Sequence, residues 1–415
     1  MQSFFMNNRE NLCHFLEDQE ALVLFSGKSL KSSADAFYPF RVNKNFYYAT
    51  GLKRENFAVA LLRRGDEVAV KLFIEAGDEH AEKWYGRKMK KEMAQRVSGI
   101  EDIVYIDAFH TWLNNEIYEG RLKKLYLDLE KISWQEPDGF VHREAAEIKS
   151  RYPFLVLDSI HPYISELRTR KYDFELEAMR QAIKMTEIGL EKVLQDLKPG
   201  VYEYQLASTF LHEVQMAGGD GLSFDTIAAS GDDGVILHYV ENNKPVAGGT
   251  LLLFDCGAQY NEYCADITRT YPASGTFSER QKLIYNIVLK AEEACIKAAK
   301  PGMTFESLNA VCKAVLTAEC KAIGLIKDDE ELSKYYYHGV SHFLGLDAHD
   351  VGSRQMIFEE GMVITVEPGL YIAEEGIGIR IEDDVLITES GGVDLSKGII
   401  KTIEEIETFM AMWHK

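Results

Sequence analysis

The chain lacks most of what would carry it to a membrane, a nucleic acid or an oxidising compartment. Its six cysteines, Cys13, Cys256, Cys264, Cys295, Cys312 and Cys320, form no C-x-x-C pair and no spacing typical of a secreted framework. They are therefore expected to be free thiols in a reducing compartment. No run reaches the roughly 18 apolar residues of a membrane span, and the N-terminus is broken by charge too early for a signal peptide. A cytoplasmic protein with no membrane partner is expected. Positive charge is scarce, with 46 Lys and Arg against 66 Asp and Glu and a formal charge of -20. That balance argues against nucleic acid or an anionic membrane as a partner. What is present is a globular composition: 46% hydrophobic residues over 415 positions, enough for two or three domains with sizeable cores.

The informative stretch is residues 338–382. It carries His338, His342 and His349, then Val363-Ile-Thr-Val-Glu367-Pro-Gly369, then Ile377-Gly-Ile-Arg380-Ile-Glu382. An echo lies about a hundred residues earlier. Gly249-Thr-Leu-Leu-Leu-Phe-Asp255-Cys-Gly257 aligns with Gly361-Met-Val-Ile-Thr-Val-Glu367-Pro-Gly369, so an apolar strand ends in a carboxylate two residues before a glycine in both. Asp266 follows Asp255 by 11 residues and Glu382 follows Glu367 by 15; His238 precedes Asp255 by 17 and His349 precedes Glu367 by 18. Lys198-Pro-Gly and Lys300-Pro-Gly each open a helical pattern. This is an internal duplication, each half bringing a hairpin with two carboxylates. A lone acid at a strand end is ordinarily solvated, but four in one cleft would raise one another's pKa values and lose their charge without a counter-ion. A pair of divalent metals is the simplest counter-charge, and oxygen-rich ligation with one imidazole suits Mn2+, with Co2+ or Zn2+ as alternatives.

The fold class expected is α+β. Residues 1–160 read as a smaller α/β domain, with strands at Ala21–Phe25, Asn45–Gly51, Phe57–Leu62, Val68–Ile74, Ile103–Ile106 and Lys124–Leu127. Residues 151–161 read as the linker. Residues 165–415 form the second domain, opening on a helix that Asp173 caps and that carries a stripe of Leu176, Met179, Ile183 and Leu190. Further helices are expected from Glu203 to Gly218, from the Ser278-x-x-Gln281 capping box to Pro301, and from Thr304 to about Ile323. Two helix pairs over a curved, mostly antiparallel sheet fit that order.

These residues resemble a known family. Residues 225–390 resemble the metal-dependent peptidases of the pita-bread fold, which include aminopeptidase P, prolidase and methionine aminopeptidase. Their Asp, Asp, His, Glu, Glu metal set falls on Asp255, Asp266, His342, Glu367 and Glu382. Pro39-Phe-Arg-Val-Asn-Lys-Asn-Phe-Tyr-Tyr-Ala-Thr-Gly51 is similar to the creatinase-type N-terminal domain, and Ser341-His-Phe-Leu-Gly-Leu-Asp-Ala-His-Asp-Val-Gly352 looks most like aminopeptidase P. The resemblance implies that Asp266 and Glu382 bridge two ions, His342 and Glu367 complete one, and Asp255 the other. It further implies a metal-bridging hydroxide as nucleophile, with Glu367 as proton shuttle. His349 is expected to donate to the developing oxyanion and His238 to contact substrate. His338 either touches substrate or is a hydrogen-bonded wall residue. Arg380, sharing a strand face with Glu382, is expected to orient that carboxylate. Cys256 and Cys264 read as core residues, and Asp347, Asp350, Asp383 and Asp384 as supporting or solvated acids. His14, His80, His110, His142, His161, His212 and His414 read as surface residues.

The activity implied is removal of the N-terminal residue from peptides with proline second, by a homo-oligomer (dimer or tetramer). Prolidase, which cuts Xaa-Pro dipeptides, and a non-catalytic peptide-binding relative are the alternatives.

Overall fold

The computed structural model describes residues 2–413, so His414 lies outside the described residues. The chain divides into two compact units, Met1–Leu167 and Arg168–Lys415. The first is built on a six-stranded mixed sheet in the order Asp102–Tyr105, Glu67–Ile74, Ala58–Arg64, Glu20–Phe25, Lys124–Leu127, Val156–Ser159. Its two central strands, Ala58–Arg64 and Glu20–Phe25, run antiparallel, and a hairpin joins the first of them to Glu67–Ile74 across Gly65-Asp66. One face buries Val23, Phe25, Ala60 and Phe73 against Phe109 and Leu113.

Two expectations fail in this unit, both for reasons of local chemistry. The run Asn45–Gly51 is not a strand but part of a helix, Lys44–Thr50. The Asn43 side chain accepts the Phe46 N–H at 2.8 Å, and Gly51, at φ +71°, sends its N–H back to the Tyr47 carbonyl. A cap at each end outweighs the strand preference of two tyrosines and a phenylalanine. The stretch read as a linker holds the strand Val156–Ser159, parallel to Lys124–Leu127. A four-residue edge strand with alternate exposure is too short to announce itself by periodicity.

In the second unit the helix Asp173–Asp196 packs on Glu203–Met216, and Glu279–Ala298 packs on Phe305–Ala322. Leu176, Met179, Ile183 and Leu190 are buried as the stripe requires. Asp173 does not cap its helix. It lies in the first turn, and Glu175 reaches back to the Tyr172 N–H at 2.9 Å instead. The Ser278–Gln281 box forms in both directions, at 2.8 and 3.2 Å.

Against the helices lie antiparallel sheets. Leu251–Cys256 pairs with Ile227–Ser230 on one side and Ile267–Pro272 on the other. Val363–Val366 pairs with Asp383–Thr388, which continues to Gly391–Asp394, while Gly369–Ile372 pairs with Ile377–Arg380. Two helices followed by a carboxylate-bearing hairpin thus occur twice. A continuous apolar core, including Leu252, Phe254, Cys256, Val288, Leu316 and Ile364, joins helices to strands. Gly257 is required where the backbone turns out of its strand, since a side chain there would run into the Ala265 carbonyl.

Candidate metal centre

The two hairpins end at the same place. Asp255 stands in register with Thr268 and Ile227, and Asp266 directly precedes Ile267–Pro272. Val366 faces Asp383, so Glu367 and Glu382, one step beyond, leave their strands together. The halves are sewn by Thr268, whose carbonyl accepts the Glu382 N–H at 3.0 Å and whose hydroxyl donates to Glu382 Oε2 at 2.6 Å. His342 comes from a glycine-rich loop running beside the Val363–Val366 strand. The Thr365 N–H donates to the His342 carbonyl and the Glu367 N–H to the Val340 carbonyl, both at 2.9 Å.

Ligand atoms of Asp266, His342 and Glu382 lie within 4.8 Å of one another, and His342 Nε2 is 3.6 Å from Asp266 Oδ2 and 3.7 Å from Glu367 Oε1. His342 Nδ1 is 2.9 Å from the Phe343 carbonyl. A carbonyl only accepts, so the ring proton sits on Nδ1 and Nε2 presents a lone pair to two carboxylates. Burial, reinforced by His349, lowers the His342 pKa to about 3, which keeps the imidazole neutral. The carboxylates are strained in the opposite sense. Burial and then repulsion from neighbouring acids raise Asp266 and Glu367 well above the usual range. Glu382 is raised to about 8, by burial first and Asp255 next. Asp255 uses one oxygen on Arg380, at 2.6 Å, while its buried Oδ1 has no hydrogen-bond partner among the described residues. A lone pair aimed at anions, an orphaned carboxylate oxygen and three acids pushed towards neutrality form a donor set that lacks only positive charge. Divalent cations with oxygen and imidazole ligands fit it.

The surrounding side chains depart in part from the sequence reading. Arg380 does not orient Glu382 directly. Its guanidinium binds Asp255, the Tyr371 hydroxyl at 3.2 Å and the Thr268 hydroxyl at 3.1 Å; it is hydrogen-bonded to Glu382 only by way of Thr268, although its charge acts on that carboxylate. The strand ends at Arg380, and Glu382 has already left it to bond with Thr268, so the period of two does not extend between them. His338 donates or accepts at the Tyr371 hydroxyl, 2.8 Å away, and lies 2.8 Å from the Gly339 carbonyl. Burial, then Arg380, lowers its pKa to about 4. The His349 ring meets the His342 ring edge-on at 4.2 Å between centroids, and its pKa is lowered by burial, then by His238 and Arg354. His238 is exposed, yet close enough for its charge to act on both His338 and His349.

The sequence reading missed Tyr371 and Arg354. Tyr371 links His338 to Arg380, and Arg354 acts electrostatically on His342, His349 and Glu367. A polar tip four residues after Glu367 on the outgoing strand was the available signal for Tyr371. Cys256 and Cys264 are buried. None of the four extra acids is simply solvated: Asp350, Asp383 and Asp384 are buried or nearly so, and Asp347 pairs with Arg168.

This fold and donor set define a metal-dependent peptidase. The chain belongs to metallopeptidase family M24, matched over residues 177–389, and residues 5–126 match the aminopeptidase P N-terminal domain. The second unit accordingly has the pita-bread fold, and family membership implies divalent metal ions. The chain is 35% identical to a Xaa-Pro aminopeptidase of Haemophilus influenzae, over 98% of this chain and 96% of that protein. It is 32% identical to one from Escherichia coli, over 99% and 98%. Among solved structures, one from Bacillus anthracis superposes with a TM-score of 0.97 at 46% identity, covering 99% of this chain and 98% of that one. Aminopeptidase P from E. coli with the inhibitor Pro-Leu gives 0.90 at 32% identity, covering 100% and 99%.

Proposed function

We propose that the chain is a dinuclear-metal Xaa-Pro aminopeptidase, removing the N-terminal residue from peptides whose second residue is proline. The observation that carries this reading is the convergence of Asp266, Glu367 and Glu382 from two duplicated hairpins with His342 from the adjoining loop, Asp255 being near enough for its charge to act on Glu382, in a chain whose full-length relatives bear that activity in their names. Proline in second position matters because its amide lacks an N–H and restricts the backbone.

The five residues would hold two divalent ions, with Mn2+ the preferred identity and Co2+ or Zn2+ the alternatives. When bound, the ions supply counter-charge, a water activated near neutral pH and polarisation of the scissile carbonyl. Glu367 would take a proton from the attacking water and hand it to the leaving proline nitrogen. His349, held edge-on to His342, donates to the carbonyl oxygen as charge develops there. His238 contacts the substrate from the exposed rim. His338 acts through Tyr371, fixing the phenol that Arg380 also binds. Arg380 is a positioning residue that aims the free oxygen of Asp255.

The same proposal assigns residues 165–415 to catalysis and residues 1–160 to the creatinase-type domain, in a cytoplasmic homo-oligomer. Its support is the resemblance to relatives along the whole chain and six buried cysteines that form no disulfide among the described residues. The deciding experiment offers chelator-stripped protein a Xaa-Pro-Xaa tripeptide and the matching Xaa-Pro dipeptide, with and without Mn2+. Metal-dependent tripeptide cleavage is expected. Cleavage of the dipeptide alone would move the assignment to prolidase, and silence on both with metal bound would point to a binding role.

A further inference from the structure

The loop between His342 and His349 is closed on itself. The Asp350 N–H donates to the Phe343 carbonyl at 2.9 Å, the same carbonyl that accepts from His342 Nδ1 at 2.9 Å. One oxygen therefore sets the tilt of His342 and fastens the loop end that carries His349. The loop is held from beneath by charge. The Asp350 side chain is 1% exposed and lies between Arg168 Nη2, at 2.5 Å, and Lys171 Nζ, at 3.1 Å, whose side chains are 3% and 1% exposed. Arg168 also reaches Asp347 at 3.0 Å, and the Lys171 ammonium donates to the Arg168 carbonyl at 2.7 Å. Glu175, facing Lys171, completes the charged groups around this carboxylate.

The loop is closely packed at two of its glycines. A side chain on Gly345 would collide with the Asp350 carboxylate and the Lys171 ammonium, and one on Gly352, at φ +139°, would collide with the Phe343 ring. Burying two cations on one carboxylate is a costly way to gain stability, since apolar residues of similar volume commonly do as well or better. It does specify one geometry. Asp350 is also the residue directly after His349, so its anchoring fixes where that imidazole meets His342.

We propose that Asp350, clamped by Arg168 and Lys171, is a positioning residue that holds His349 against the His342 ring. The inference rests on the reading of His349 as the donor to the carbonyl oxygen. Asp350→Asn keeps the shape and removes the charge. It is expected to lower kcat at least tenfold with little change in KM, and to leave Mn2+ affinity, read by competition with a chromophoric chelator, within about threefold, because the Thr365 hydroxyl independently accepts the His342 N–H. In a His349→Ala background the same substitution is expected to add nothing, since the group it positions is already gone. The ring 15N signals of His349 in metal-free protein should move in Asp350→Asn, whatever the activity. If Asp350→Asn does not fold, Lys171→Met, which retains the Arg168 pair, carries the same set of measurements with smaller changes.

An equal loss of kcat in both backgrounds, or an unmoved His349 signal, would overturn the positioning role. A His349→Ala protein with undiminished kcat would instead overturn the reading of His349, and the ring signals would still decide the anchoring.

Discussion

Stripping the metals should make the protein's stability fall more steeply as pH rises between 5 and 8, and loading it should remove the share of that fall that the ligands cause, leaving the share of Glu175, Glu292 and Asp384, which are also raised by burial. The magnitude follows from Glu382, whose pKa rises from 4.5 in the open chain to about 8 in the fold. A carboxyl with a raised folded pKa contributes fully below its unfolded value and loses that contribution as pH climbs through the folded one. At about 1.4 kcal/mol per pH unit, the loss from Glu382 is on the order of 5 kcal/mol above pH 8. Asp266 and Glu367 are raised too and add in the same sense. Asp383 is lowered, by Arg269 and Lys401 against the effect of its burial, and its contribution is already complete above pH 5. His338 and His342, lowered by burial to about 4 and about 3, regain stability as pH rises through 6.5 and offset part of the fall below that pH, so the fall is read most cleanly between pH 6.5 and 8. Bound cations replace the protons. At pH 7 Glu382 alone would release roughly nine-tenths of a proton on metal binding, whereas His342, already neutral, releases none. Thermal midpoints at pH 5, 6.5 and 8, with chelator and with excess Mn2+, test the stability, and titration calorimetry in buffers of different ionisation enthalpy counts the protons. A metal-free protein as stable at pH 8 as at pH 5, with binding heats that ignore the buffer, would refute the reasoning.

Asp266→Ala and Glu382→Ala should each reduce kcat/KM by about 10³ or more with circular dichroism unchanged, since each removes a proposed ligand of both ions; wild-type turnover in excess Mn2+ would sink the bridging assignment. His349→Ala should lower kcat on the order of 10²-fold with metal content by elemental analysis unchanged, and loss of metal would mark His349 as a ligand instead. Gly378→Ala should lower the thermal midpoint, because a methyl there overlaps the Gly234 backbone carbonyl, which cannot swing aside as a side chain would. The expected cost is about 3 kcal/mol, and an unaltered midpoint would show that the two backbones part more easily than their packing implies.

By itself the sequence determined whatever depends on near neighbours in the chain. Ser278 with Gln281, Thr304 and the two Pro-Gly pairs mark helix ends because caps act over three or four residues. Asp255 and Glu367 stand out because an apolar strand, a carboxylate and a glycine two residues later recur within nine positions. The same locality explains the failures. Asn45–Thr50 carries a strand-like composition, and only the Asn43 and Gly51 caps in their folded conformations make it helical. Arg380 looked like a partner of Glu382, two residues away, and is instead bound to Asp255, 125 residues away. Asp350 read as one spare acid among several until the fold brought Arg168, 182 residues distant, onto it. The chain order places acids at the ends of strands, but their partners and their proton affinities were decided by the tertiary structure, because burial and the distance between charges exist only once the two halves have closed on each other.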